Sequence, residues 1–99
     1  MTTLDQIKQI LNEYFISKPV QKAWVFGSYA RGEQTEASDI DILVSFDEDN
    51  YPSLLSHVEM ILTLQDLLDT KIDIVPNDCV HNYVRHEIDK DKILLYERV

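Results

Sequence analysis

Asp39 and Asp41 stand two positions apart in the run Ser38-Asp39-Ile40-Asp41-Ile42-Leu43-Val44. On a strand, side chains two apart share a face, so the two carboxylates project together while Ile40 and Ile42 point to the opposite side. Close like charges raise a carboxyl pKa and cost stability, whereas a divalent cation between them reverses the sign of the interaction. Mg2+ suits such a pair. It is a hard ion that takes oxygen ligands, and it usually binds through one or two carboxylates plus the phosphates of a substrate. The metal therefore implies a nucleotide.

Gly27 and Ser28, which follow an apolar run, supply the other half of such a site. Glycine lets the backbone turn and approach a ligand closely, and a short helix after it aims free N–H groups at phosphate oxygens. The Ser28 hydroxyl can donate to the same oxygens. Arg31 has two readings, a phosphate-binding charge or an ion-pair partner for nearby carboxylates. An Asp-x-Asp pair alone is a weak signal, because acidic residues near loops are often only solvated.

Together these residues form a recognisable pattern: Gly27-Ser28, then Ala30-Arg31-Gly32, then Ser38-Asp39-Ile40-Asp41, with a later acid, Asp73, in the β-branched run Lys71-Ile72-Asp73-Ile74-Val75. In this the chain resembles the minimal nucleotidyltransferases of the DNA polymerase beta-like superfamily. A narrower likeness is to the antitoxin half of toxin–antitoxin pairs whose toxin is a helical HEPN-class protein. The resemblance implies an α/β (α+β) fold in two layers, a small mixed β-sheet packed with helices. It also implies Mg2+-dependent transfer of AMP from ATP to a protein acceptor, a tyrosine of a HEPN-type toxin that docks as partner. Asp39, Asp41 and Asp73 are then the catalytic and metal-binding residues, and Gly27, Ser28 and Arg31 bind the nucleotide. One Mg2+ on Asp39 and Asp41 would grip the triphosphate, and a second, shared with Asp73, would sit near the attacking hydroxyl. Two other readings stay open: an antitoxin that neutralises by contact alone, and a small-molecule transferase of the aminoglycoside-modifying kind.

The elements that must position these residues are legible in turn. Thr3 followed by Gln6 has the form of a capping box, and Leu4, Ile7, Leu11, Tyr14 and Phe15 continue at helical spacing toward a stop before Lys18-Pro19. Val20 to Phe26 reads as the first strand, with Trp24 as core or lid rather than a base-stacking side chain. Tyr29 is read as packing in preference to an exposed acceptor. Ser38 either orients Asp39 or satisfies only backbone groups. After an acidic loop at Asp47-Glu48-Asp49-Asn50, Pro52 and Ser53 open the main packing helix, with Leu54, Leu55, Val58, Ile61, Leu62, Leu64 and Leu68 at helical spacing. His57 lies in it without a metal partner. Beyond Asp73's strand, Asn77 or Asp78 is expected to cap a helix that buries Val80, Val84 and Ile88 and leaves His81, Arg85 and His86 in water. Ile93 to Tyr96 reads as a last strand.

Bulk properties set the limits. Ninety-nine residues make one domain, spanning 1–99, with room for one modest core. A net charge of −9 argues against direct nucleic-acid binding and for a neutral or basic partner. No signal peptide and no apolar run long enough to cross a membrane are seen, so a cytoplasmic protein is expected. The single cysteine, Cys79, is read as a small packing residue.

Overall fold

The computed structural model describes residues 2–98, so Met1 and Val99 of the expected 1–99 unit lie outside the described residues. Helix α1, Leu4–Phe15, starts where the capping box places it. Gln6 N–H donates to Thr3 Oγ1 at 3.2 Å, and Thr3 N–H donates to Gln6 Oε1 at 2.9 Å. Ile7, Leu11 and Phe15 recur every fourth residue and are fully buried, while Leu4 and Tyr14 flank them. Strand β1, Val20–Phe26, follows, then the single turn α2, Ser28–Arg31, and strand β2, Ile40–Phe46. Helix α3, Leu54–Leu68, is capped by Ser53, whose Oγ accepts from Ser56 N–H at 3.1 Å. Strand β3, Ile72–Pro76, helix α4, Asn82–Asp91, and strand β4, Ile93–Glu97, complete the order.

The four strands lie in the order β3-β2-β1-β4. β1 is antiparallel to both β2 and β4, whereas β2 and β3 run parallel, which makes the sheet mixed. A parallel neighbour requires a crossover, and α3 supplies it. Ile40, Ile42, Val44 and Phe46 of β2 alternate into one core with Val20, Ala23 and Val25 of β1, Ile72 and Ile74 of β3, and the buried stripes of α1 and α3. This is the α/β sheet-and-helix arrangement expected from the sequence. Asp41, Leu43 and Ser45 belong to the other face, where Leu43 is nevertheless fully buried. Because β3 and β4 are opposite edges of the sheet, the chain between them, which contains α4, has to cross its width.

The outer edge of β3 is held by α3. Ile40 N–H donates to the Lys71 carbonyl at 2.9 Å, so in the parallel ladder the backbone groups of Ile72 and Ile74 face outward. Gln65 Oε1 accepts from Ile72 N–H at 3.2 Å, and His57 Nε2 lies 3.0 Å from the Ile74 carbonyl oxygen. Satisfying edge groups with side chains blunts pairing with another strand and fixes the strand that carries Asp73. His57, which has no metal partner in sequence, therefore has a structural one.

Five expectations fail in detail. Of the apolar residues on α3 only Met60, Leu64 and Leu68 are buried, while Leu54, Leu55, Val58 and Leu62 are exposed, because a helix apolar around most of its girth meets the sheet along one stripe only. Asn77 and Asp78 do not cap α4. Asn77–Cys79 form a separate 3-10 turn, His81 is the residue before the helix with no side-chain cap, and α4 has no buried residue. Arg85, expected in water, instead donates to the side-chain and backbone oxygens of Asn77. Cys79 lies on that turn and is exposed, so it is not a packing residue. Among the described residues no helix is long and apolar enough to cross a membrane.

Candidate active site

β1 ends at Phe26, and the chain turns through Gly27 at φ 73° and ψ −149°, a conformation open essentially to glycine alone. Gly27's carbonyl accepts from the N–H groups of Ala30 at 3.1 Å and Arg31 at 3.2 Å, closing the turn of α2. Gly32, at φ 72°, ends it. Tyr29 anchors the turn in the core at 2% exposure, so its packing role holds and its hydroxyl is not offered to solvent as an acceptor. Ser28 and Gly27 are thereby presented at the end of β1, beside the start of β2.

Across from that turn, Asp41 on β2 is in register with Phe26 of β1 on one side and Asp73 of β3 on the other. Two of the three sequence-chosen carboxylates therefore sit on neighbouring strands at one register position. Asp39 precedes the first residue of β2 and shares Asp41's parity, while Ile40 and Ile42 are fully buried on the opposite face. Asp39 and Asp73 are exposed, whereas Asp41 is half-buried. Burial pushes the Asp41 carboxyl up from its ordinary value, and the like charges of Asp73 and Asp39 push it further, with Arg31 opposing them.

Gly27 and Asp41 are in close apposition. A Cβ built on Gly27 would collide with Oδ2 of Asp41, so the glycine gives the carboxylate its place as well as giving the chain its turn. The donor set is wholly oxygen and its side chains mutually repel, which suits a hard cation. Among the described residues no group of three or more His, Cys, Asp or Glu side chains is gathered so as to hold a metal ion, so Asp41 and Asp73, in register on neighbouring strands, are the pair this arrangement offers a cation. An open set fits Mg2+, which takes one or two carboxylates and completes its shell with water and substrate phosphate.

Arg31 is in ion pairs with Glu33 at 2.7 Å and with Asp91 at 3.3 Å, and the hydrogen bond it donates to Glu33, then the one it donates to Asp91, hold its pKa above the ordinary value. Ser38 Oγ accepts from Thr35 N–H at 2.9 Å, so it closes the 35–38 turn ahead of Asp39. Trp24 is half-buried, with the Lys92 ammonium 4.7 Å above its ring. Sequence reading missed Asp91 and Lys92 as neighbours of this region. Asp91 is 60 positions from Arg31, and nothing in local spacing connects them.

Residues 4–95 match the family described as the nucleotidyltransferase domain. A candidate protein adenylyltransferase of Methanocaldococcus jannaschii is 48% identical over 98 residues, covering 94% of this chain and 98% of that protein. Among solved structures, that of a candidate minimal nucleotidyltransferase is 30% identical with a TM-score of 0.78, covering 93% of this chain and 95% of that one. A chain from the complex of tri-AMPylated Shewanella oneidensis HEPN toxin with MNT antitoxin shares the fold at 20% identity and a TM-score of 0.64, covering 92% of this chain and 73% of that one.

Proposed function

This chain belongs to the nucleotidyltransferase domain family, and on that footing we propose that it is an antitoxin that transfers AMP from ATP to a tyrosine of a HEPN-type toxin. The observation that carries the reading is the register of Asp41 with Asp73, with Gly27 packed against Asp41. It puts two acidic strands and a phosphate-sized turn at one end of the sheet. The near full-length match to a candidate protein adenylyltransferase, and the likeness of fold to a chain of a HEPN–MNT complex, support a protein acceptor and that partner class. The acidic surface, at net charge −9, favours a neutral or basic partner over nucleic acid. A cytoplasmic location follows from that assignment.

In this reading Asp39, Asp41 and Asp73 would hold Mg2+. Bound there, it would neutralise the triphosphate and stabilise the entering and leaving oxygens of an in-line displacement at the α-phosphorus. The chain's own part is positioning. The Gly27 turn brings backbone close to the phosphates, Ser28 donates its hydroxyl, and Arg31 adds a fixed positive charge. Asp73, on the outer strand and exposed, is the carboxylate placed to meet the acceptor hydroxyl and draw its proton as the new P–O bond forms and pyrophosphate leaves. Asp39 and Asp73 are exposed, so a docked acceptor would exclude water from one side of the site.

The test is label transfer. The protein is purified with a co-expressed partner and incubated with Mg2+ and ATP labelled at the α-phosphate, beside an Asp73→Asn control. Transfer to the partner that requires Asp73 is the expected result. A partner that co-purifies and neutralises equally with either version, and takes no label, would establish neutralisation by contact.

A further inference from the structure

Arg31 is held by two unlike carboxylates. Nε donates to Glu33 Oε1 at 2.7 Å, a local contact with a side chain 64% exposed, whereas Nη1 donates to Asp91 Oδ2 at 3.3 Å, on a side chain only 22% exposed. Asp91 is the last residue of α4, and the residues that follow it are held in place. Lys92 N–H donates to the Ile88 carbonyl at 2.8 Å, the Lys92 ammonium lies 4.7 Å over the Trp24 ring, and β4 begins at Ile93 in register with Val25. α4 contributes no buried residue, so apolar packing alone does not account for how its end meets α2. The Arg31–Asp91 pair is a polar link between them.

We propose that Asp91 is a positioning residue of the nucleotide site: it orients the Arg31 guanidinium so that the donors left over by Glu33 and Asp91 face the triphosphate. The inference rests on the reading of Arg31 as a phosphate-binding side chain. Nη2 has no partner among the described residues, so its two N–H groups and the second N–H of Nη1 remain for phosphate oxygens after both anchors are engaged. A long flexible side chain fixed in advance loses less freedom when the ligand arrives, which is the general benefit of preorganisation. Arg31 also lowers the Asp41 carboxyl pKa, which places its charge within reach of the acidic cluster.

The sign of the effect makes the proposal testable. Asp91 is a negative charge beside an anion site, so by Coulomb's law alone its removal tightens nucleotide binding. Positioning predicts the reverse. Calorimetric titration of a non-hydrolysable ATP analogue with Mg2+ into the whole chain compares wild type, Asp91→Ala, Asp91→Asn and Arg31→Ala. Asp91→Ala should weaken binding about three- to ten-fold, the size of coupling across one polar network. Asp91→Asn keeps a carbonyl oxygen that accepts from Nη1 and should stay within about two-fold of wild type. In an Arg31→Ala background, Asp91→Ala should change nothing further. Tighter binding in both Asp91 variants would make Asp91 a competing charge and overturn the proposal. Unchanged affinity with a lowered melting temperature would do so too, leaving only a structural tie. Failure of the reading of the site looks different: wild type binds no analogue, or Arg31→Ala binds as well as wild type.

Discussion

Gly27 and Gly32 have nearly the same φ, 73° and 72°, but different surroundings, and the contrast isolates what the site requires of its turn. Alanine at Gly32 would meet nothing within 4 Å, so Gly32→Ala carries only the backbone penalty of the left-handed region, about 1–2 kcal/mol. Alanine at Gly27 carries a penalty of about 1–3 kcal/mol for its glycine-only conformation and in addition drives a methyl into Oδ2 of Asp41. Relief requires Asp41 to leave its place or the turn to open, and with the collision included we expect Gly27→Ala to cost about 3–4 kcal/mol. In a domain of this size each kcal/mol moves the melting temperature by about 4–8 °C, so the two variants should be clearly separated in a thermal melt. The cause is checked by a cycle. In an Asp41→Ala background the collision partner is gone, and the excess cost at Gly27 should shrink toward its backbone penalty. Equal destabilisation by Gly27→Ala and Gly32→Ala, or an excess that survives Asp41→Ala, would mean that the Asp41 carboxylate does not set the requirement for glycine.

Two further predictions concern stability. Burial, then Asp73 and Asp39, raise the Asp41 carboxyl above its ordinary 3.8, so the folded state holds this proton more tightly than the unfolded chain. The linked stability is present below pH 3.8 and is lost as pH rises through the folded-state value. Without divalent cation, Asp41→Asn should therefore melt above wild type at neutral pH, with the gap closing on acidification; a gap that widens in acid would contradict the assignment. On α3, Leu64→Ala opens the core and should cost about 2–5 kcal/mol. Leu54→Ala, at a position 81% exposed, should stay within about 0.5 kcal/mol, and urea denaturation distinguishes the two.

What could be read from sequence was the part with local causes. The capping box of Thr3 and Gln6, the strand from Val20 to Phe26, and the alternation that separates Asp39 and Asp41 from Ile40 and Ile42 each follow from backbone period or a short hydrogen bond. Asp73 was found through a resemblance, and its register with Asp41 depends on a parallel pairing across α3 that no local pattern encodes. Apolar content alone misled. Leucines around α3 gave no indication of which stripe the sheet would cover, and Val80, Val84 and Ile88 promised a buried face that α4 does not have. Long-range polar contacts were invisible for the same reason: Asp91 with Arg31, Gln65 with Ile72, and His57 with Ile74 are set by topology.

If Asp39, Asp41 and Asp73 serve nucleotidyl transfer, the fate of each phosphate of ATP reports it. The protein with its co-purified partner is given Mg2+ and ATP labelled either at the α- or at the γ-phosphate, alongside Asn variants of each aspartate. The expected result is α-label on the acceptor, γ-label released in pyrophosphate, and neither in the three variants. Label transferred from the γ-position, or α-transfer that persists without these carboxylates, would contradict it.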